Sequence, residues 1–294
     1  MTPICRTCGS ALCVRVGALP DSEWFAGNLL ESGIPGGDLW RCKNCSFLFR
    51  SPLLSDLVYE SLYRNGQLDV WDAEQDREDF RLIIAMLQPL HGQELSVLDF
   101  GCYTGQLLAL LPASFRKFGI EPNRQAAAAA ASKGIQIITD ADGCGAAGRP
   151  QRYDIILCCD VIEHVPNPLE LMTSFRSQLK SGGSLIVSTG NSDALLWRLT
   201  GSRFWYCQHA EHISFLSPRW MRNLSEQAGL ELTDVRAFNY RGGRTQFGRA
   251  LAAIFYRASP AIYSRLRGLF GAYSPGAPGI GATRDHILCR LKAI

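Results

Sequence analysis

The sequence contains no unbroken apolar run long enough to span a bilayer, although 47% of its 294 residues are hydrophobic. Its first residues, MTPICRTCGS, lack the charged and then apolar pattern of a secretory signal. These absences argue against a membrane-spanning or exported protein, and we expect a cytoplasmic one. Since that compartment is reducing, the eleven cysteines are expected to be thiols rather than a disulfide framework.

Acidic residues are almost missing from the C-terminal end. Residues 241–294 hold nine Lys and Arg against one acid, Asp285, whereas the whole chain carries a net charge of only +3. Within 241–284, apolar side chains recur at helical spacing and arginines occupy much of the remaining face. The pattern predicts a basic helical insertion, which either packs on the domain as a cap or meets a membrane surface or an anionic carrier through 246–270.

Strands and helices alternate from Ser96 onwards. The predicted strands are SVLDFG, FRKFGIEP, IQIITD, YDIILCCD, SLIVST, ELTDVRAFNY and DHILCRLKA. The predicted helices run from the turn near residue 105 to about Leu111, over 123–133, over 167–180 with the glycines of SGG as its end, and through SPRWMRNLSEQAGL. Apolar strands that alternate with helices indicate an α/β fold with a mostly parallel sheet, whose ligands bind beyond the carboxyl ends of the strands.

Two identically spaced cysteine pairs lie near the start of the chain. Cys5 and Cys8 stand in CRTCGS, and Cys42 and Cys45 stand in CKNCSF. Four thiolates at this spacing predict a structural zinc site, which leaves no open coordination position for catalysis. Such a site can supply about 10–16 kcal/mol of apparent binding energy to a segment with little core of its own. Four unrelated thiols or a redox pair are the alternatives, and no βαβ unit adjoins either pair to favour the latter.

A glycine turn follows the first predicted strand of the main domain. The stretch from Asp99 to Gly105 reads D-x-G-x-x-x-G and lacks the middle glycine of a dinucleotide fingerprint. A carboxylate at Asp99 would repel a pyrophosphate, but it can pair with the ammonium and sulfonium of S-adenosylmethionine. Glu121 ends the next strand, where an acid can accept both ribose hydroxyls. The turn therefore favours the methyl donor over a nicotinamide cofactor.

Taken together, VLDFGCYTG, FGIEPN, YDIILCCDVIEHVPNPLELM and EHISFLSPRWMRNLSEQAGLEL resemble a class I S-adenosylmethionine-dependent methyltransferase. The two cysteine pairs narrow the resemblance to the bacterial subgroup with an N-terminal four-cysteine zinc segment. The resemblance implies a Rossmann-like, seven-stranded sheet whose last strand runs antiparallel. It also implies donor contacts from Asp99, Gly101, Gly105, Glu121 and Asp160. Tyr103 departs from the family, which often has glycine there, and either Asp140 or Asp142 is expected near the adenine.

This resemblance divides the chain into three parts. Residues 1–50 are the expected zinc-binding segment, 51–95 a helical linker, and 96–294 the methyltransferase domain with its basic insertion at 241–284. Two histidines follow strands at the ligand edge and are candidate bases for a hydroxyl or an acidic carbon, namely His164 and His212. For each, a purely structural role in its loop is the alternative.

We therefore predict methyl transfer to a small molecule, such as a sugar or a lipid-linked intermediate, at oxygen or carbon. An RNA methyltransferase would use the zinc segment and the basic insertion to grip RNA, but interleaved base-stacking aromatics are not evident. A non-catalytic scaffold that binds zinc and donor is a further alternative, and an NAD-dependent oxidoreductase is disfavoured by Asp99.

Deletion of 246–270 tests the predicted membrane contact. If the basic insertion binds anionic lipid, the wild-type protein should pellet with phosphatidylserine-containing liposomes, and the deletion variant should stay in the supernatant. Neutral liposomes are the control for charge. Equal and negligible pelleting of both proteins would exclude a membrane role for the insertion.

Overall fold

The computed structural model describes residues 2–68, 77–138, 152–239 and 284–294. Its N-terminal part contains five strands: β1 (Cys13–Ala18), β2 (Ser22–Phe25), β3 (Asn28–Ile34), β4 (Asp38–Cys42) and β5 (Leu48–Ser51). Two helices follow, α1 (Asp56–Arg64) and α2 (Glu78–Leu87). The predicted linker is thus helical over much of its described length.

The larger part of the chain alternates strands and helices. Its first half contains β6 (Ser96–Phe100), α3 (Gln106–Leu110), β7 (Arg116–Ile120), α4 (Arg124–Ser132), β8 (Gln136–Ile137) and β9 (Tyr153–Cys159). Its second half contains α5 (Pro168–Gln178), β10 (Leu179–Gly190), α6 (Leu195–Thr200), β11 (Ser214–Phe215), α7 (Pro218–Leu224), β12 (Leu230–Phe238) and β13 (His286–Ala293).

Seven of these strands form one sheet in the order β12-β13-β10-β9-β6-β7-β8. The pairs among β6 to β10 are parallel, and β13 runs antiparallel to both of its neighbours. The predicted Rossmann-like sheet of seven strands with an antiparallel last strand is therefore confirmed. Neighbouring residues of one strand, such as Ile156 and Leu157, are both fully buried, because helices cover both faces.

Two predicted helix ends are wrong. The helix predicted over 167–180 ends at Gln178, and β10 already includes the SGG glycines, since Leu179 pairs with Tyr153 before a register shift. The helix that follows the Ser217 cap ends at Leu224, and a separate 3₁₀ turn continues to Ala228. Gly229 then adopts a φ of +70°, which only glycine reaches without strain.

A second sheet joins the N-terminal segment to the main domain. Its order is β1-β4-β5-β11, so three strands come from the first 51 residues and the fourth comes from Ser214–Phe215. Ser214 pairs with Phe49, and Phe215 pairs with Leu48. The N-terminal segment is therefore packed against the residues that follow His212.

None of the helices in the described ranges has both the length and the apolar character needed to cross a bilayer. The predicted basic insertion at 241–284 and the candidate adenine contacts Asp140 and Asp142 lie outside the described residues, except for Arg284.

Candidate functional site

The turn between β6 and α3 brings bare backbone to the carboxyl edge of the sheet. Gly101 has a φ of +78° and Gly105 a φ of +76°, both in the left-handed region. A Cβ atom on Gly101 would lie 2.4 Å from Val161 Cγ2, so the position also has no room for a side chain. The amides of Gly101 and Cys102 donate to Ile120 O at 2.9 and 3.1 Å, which ties the turn to β7.

Three predicted donor contacts lie at the ends of adjacent strands. Asp99 in β6 is 4% exposed, and burial raises the pKa of its carboxyl to about 7. Asp160 follows β9, and burial raises its pKa to about 6. Glu121 follows β7 and accepts the amides of Tyr103 at 2.9 Å and Asn123 at 2.8 Å. The structure therefore brings the three carboxylates together around the glycine turn.

Arg77, at the start of α2, is a residue of this edge that the sequence analysis missed. Its Nη2 lies 2.6 Å from Asp79 Oδ2 and 2.6 Å from Asp160 Oδ2. The guanidinium places positive charge among carboxylates that burial would otherwise neutralise, and its Coulomb attraction opposes the rise in the pKa of Asp99. An arginine just before an amphipathic helix carries no motif, so nothing local in the sequence marks it.

One carboxylate oxygen of this edge has no hydrogen-bond partner in the part of the chain that the structure describes. Asp160 Oδ1 is buried and accepts no hydrogen bond from the described residues, although Oδ2 is held by Arg77. Asp160 also has a φ of +51°, which is rare for a residue other than glycine. A buried, unsatisfied carboxylate oxygen in a strained backbone position is typical of a site that awaits a ligand with a donor group.

Tyr103, the departure from the family pattern, joins the donor turn to the linker. Its hydroxyl donates to Leu68 O, and Asn123 Nδ2 donates to Gly66 O at 2.8 Å. The backbone after α1 is thereby held against the loops that carry Glu121 and the glycine turn. The tyrosine side chain makes this hydrogen bond to Leu68, which a glycine could not make.

His164 and His212, the two predicted bases, lie in contact. Their ring centroids are 5.0 Å apart, and both side chains are half-buried. His212 Nδ1 lies 2.7 Å from Tyr206 O, which can only accept a hydrogen bond, so Nδ1 carries the proton and Nε2 keeps its lone pair. Burial lowers the pKa of both imidazoles, that of His212 well below its ordinary value, and both are neutral near pH 7.

Further polar side chains complete this cluster, and sequence reasoning missed three of them, Tyr63, Thr189 and Tyr206. Tyr63 from α1 brings its hydroxyl to 2.8 Å from His164 Nδ1. Tyr206 donates its hydroxyl to Glu163 Oε1, and Thr189 Oγ1 donates to Glu163 Oε2 at 2.9 Å. Tyr206 lies only six residues before His212 in the chain, whereas Tyr63 is distant in sequence and only the fold brings it to His164.

Among the described residues, two groups of side chains have ligand atoms close enough to hold a metal ion. Within each group, these atoms all lie within 4.8 Å of one another. One is Glu163, His164 and His212. Both oxygens of Glu163 already accept hydroxyl protons, and His212 Nδ1 bonds a backbone carbonyl. These contacts are those of a hydrogen-bonded network, and an ion would have to displace some of them.

The other group contains the four predicted zinc ligands. Cys5 Sγ lies 3.6 Å from Cys45 Sγ, and Cys8 Sγ lies 3.6 Å from Cys42 Sγ. Tetrahedral coordination with Zn–S bonds of about 2.3 Å separates the sulfurs by about 3.8 Å, so this donor set fits such an ion. Cys13 lies near these thiols but is not part of the group.

Comparison with known proteins identifies the family of the chain. The chain belongs to the methyltransferase domain family, which matches residues 72–235. The ubiquinone biosynthesis O-methyltransferases of Coxiella burnetii and Saccharophagus degradans are 30% and 31% identical to it over 104 and 105 residues. These matches cover 33% and 32% of this chain, and they span only 44% and 43% of the relatives' own length.

Two solved structures share the fold. The Haloferax volcanii complex of the Trm112 methyltransferase activator with a methyltransferase contains a chain with 13% identity and a TM-score of 0.53, covering 82% of this chain and 99% of that one. Magnesium protoporphyrin IX methyltransferase of Synechocystis PCC 6803, with bound SAH, has 14% identity and a TM-score of 0.50, covering 82% and 100%. At these identities the likeness shows the fold alone. The predicted family is confirmed.

Proposed function

We propose that the protein transfers a methyl group from S-adenosylmethionine to a small-molecule acceptor. The observation that carries this proposal is the buried Asp160 Oδ1, which has no partner in the described ranges, beside Asp99, Arg77 and the bare Gly101 turn. The donor's methionine end carries an ammonium, a sulfonium and a carboxylate, which suit two carboxylates and one guanidinium. Glu121 would accept the ribose hydroxyls, as in other Rossmann-like sites.

The acceptor half of the proposal rests on the histidine cluster. The donor supplies an activated methyl group, so the chain's own residues need only align the nucleophile and remove its proton. A neutral His212 with a free Nε2 lone pair can do this for a hydroxyl or an acidic carbon. The relatives' names include O-methyltransferases, which favours oxygen. A sugar or a lipid-linked intermediate in the cytoplasm remains our proposal for the acceptor class.

The proposed donor site predicts that the affinity for S-adenosylmethionine depends on pH. A cationic donor binds the ionised form of Asp99, whose pKa in the empty cleft is about 7. Protonation therefore competes with the donor, and the dissociation constant should rise roughly tenfold from pH 7.5 to pH 6, with a contribution from Asp160. Titration calorimetry measures the dissociation constant at each pH. Asp99→Asn should bind weakly and lose most of this pH dependence.

Asp154→Asn is the matched control for that experiment. Asp154 lies at the opposite end of β9, and its partners Lys180 and Ser96 lower its pKa. The variant should therefore bind donor like wild type at every pH. A donor affinity that is flat with pH in the wild-type protein, or binding of a nicotinamide cofactor instead, would contradict the donor assignment.

If the histidine cluster acts on the acceptor, substitution of its histidines should lower turnover without weakening donor binding. His212→Ala and His164→Ala should each lower the rate by about 10²–10⁴-fold if the cluster removes a proton, with donor affinity nearly unchanged. His91→Ala is the control, because His91 is exposed and packs on Phe115 away from the cluster. The rate is measured with labelled donor and a fractionated cell extract, which supplies the acceptor. Unaltered rates in both cluster variants would remove the histidines from the mechanism.

The same labelling experiment separates the alternatives. A labelled product that nuclease destroys would indicate an RNA methyltransferase, whereas a labelled small molecule supports our proposal. Donor binding with no labelled product in any fraction would indicate a scaffold that binds donor without catalysis. The predicted membrane or carrier contact through 246–270 and the cytoplasmic location stay proposals.

We further propose that the four-cysteine site holds a structural zinc ion. Elemental analysis should find one zinc per chain in the purified protein. Cys5→Ser and Cys45→Ser should lose it and melt at a lower temperature, because a structural zinc site contributes folding energy directly. Cys13→Ser is the control, since Cys13 is outside the group, and it should retain the metal. Full zinc content in Cys5→Ser would contradict the ligand assignment.

A further inference from the structure

Arg50, near the end of β5 in the N-terminal segment, has a buried guanidinium that contacts the loop 207–212, which carries His209 and His212. The side chain is 2% exposed. Its Nε donates to His212 O at 3.2 Å, and its Nη2 donates to His209 O at 2.9 Å and to Cys207 O at 3.1 Å. Its Nη1 donates to Gly36 O within the N-terminal segment. One planar group therefore fixes three carbonyls of the loop 207–212.

This cation is held in an unusual way. No carboxylate lies within ion-pair distance of its guanidinium in the described parts of the chain. Burial lowers the pKa of Arg50, as expected for a charge removed from water. Its hydrogen bonds go to carbonyl oxygens, and Glu211 attracts it only from beyond ion-pair distance, which is a costly way to stabilise a fold. The arrangement fixes the positions of the loop carbonyls, because the rigid, planar guanidinium orients several acceptors at once.

Further hydrogen bonds hold this loop and the adjacent Ile213 to the N-terminal segment. The backbone amide of Arg50 donates to Ile213 O at 2.9 Å, next to the pairing of Ser214 with Phe49. The amide of Ala26 donates to Glu211 Oε1 at 2.7 Å. The loop is therefore anchored on either side of the His212 ring by residues from another part of the chain.

The orientation of the His212 ring depends on these anchors. Its Nδ1 donates to Tyr206 O, one residue before Cys207, whose carbonyl Arg50 holds. Its own carbonyl accepts from Arg50 Nε. Moving either end of this short loop would rotate the imidazole and redirect the Nε2 lone pair.

We propose that Arg50 is a positioning residue for methyl transfer, which orients His212 by clamping the carbonyls of 207, 209 and 212. This inference rests on the proposed function for its catalytic part. The N-terminal segment thereby supports the proposed acceptor site through Arg50, which lies on the same β4–β5 hairpin as Cys42 and Cys45.

The experiment compares Arg50→Met and Arg50→Lys with Arg15→Met. Arg15 lies in the same small sheet, is exposed and pairs with Asp38, so its loss leaves the loop untouched. The first readout is the ring ¹⁵N and ¹H spectrum of labelled histidine, in which wild-type His212 shows a protonated Nδ1. The second is turnover with the active extract fraction, and the third is donor affinity by calorimetry.

In Arg50→Met, we expect the His212 resonances to shift and broaden, and turnover to fall by about 10²-fold, as for a catalytic group misplaced by about 1 Å. Arg50→Lys should show smaller changes in the same direction, because an ammonium keeps the charge but cannot span three carbonyls. Donor affinity should stay within about twofold of wild type in both, since the clamp does not touch the donor edge, and Arg15→Met should match wild type throughout.

Wild-type His212 spectra and turnover in Arg50→Met would overturn the proposal. If that variant does not fold, Arg50→Lys decides, and if neither folds, Arg50 serves stability alone and the proposal is rejected. Failure of the proposed function is distinguishable, because it would leave wild type without a labelled product while the histidine spectra still report the clamp.

Discussion

Burial of two carboxylates at the carboxyl edge of a parallel sheet is the constraint on which the rest of this site depends. Asp99 and Asp160 lie where desolvation raises their pKa values, and the guanidinium of Arg77 places positive charge beside them. Such an edge is unfavourable for stability and attractive to a cation. The glycine turn completes it, because a side chain at Gly101 would collide with Val161 and occupy the space beside the strand ends.

The histidine cluster follows a different principle, since its geometry comes from contacts between distant parts of the chain. Tyr63 from the linker contacts His164, and Ala26 and Arg50 from the N-terminal segment hold the loop around His212. A four-cysteine site in the same segment would then stabilise the platform on which this loop rests, without any contact between the ion and the acceptor. Residues of 1–50 thus hold the loop that carries His212, a role that the cysteine spacing alone does not suggest.

The sequence was sufficient for features that depend on local patterns. Apolar runs of strand length predicted the seven strands, and the spacing of Asp99, Gly101 and Gly105 predicted the turn, because backbone conformation and strand ends are encoded within a few residues. The helix end near SGG was wrong because pairing with β9 extends β10 through the glycines. Arg77, Tyr206, Tyr63 and Arg50 escaped prediction, since each acts through contacts that no motif, period or charge run marks in advance.

The loop after β9 joins the two halves of the site. Asp160 faces Arg77 on the donor edge, and Glu163, three residues later, is fully buried and accepts the hydroxyls of Tyr206 and Thr189 beside the histidines. Glu163 and His286 both act on the pKa of Asp160, the first raising it and the second lowering it. The charge of Asp160 in turn opposes the fall in the pKa of His164 that burial causes, so the two groups are electrostatically coupled. The proposed reaction consumes a sulfonium and releases a proton, and this short loop would place a carboxylate near each of these groups.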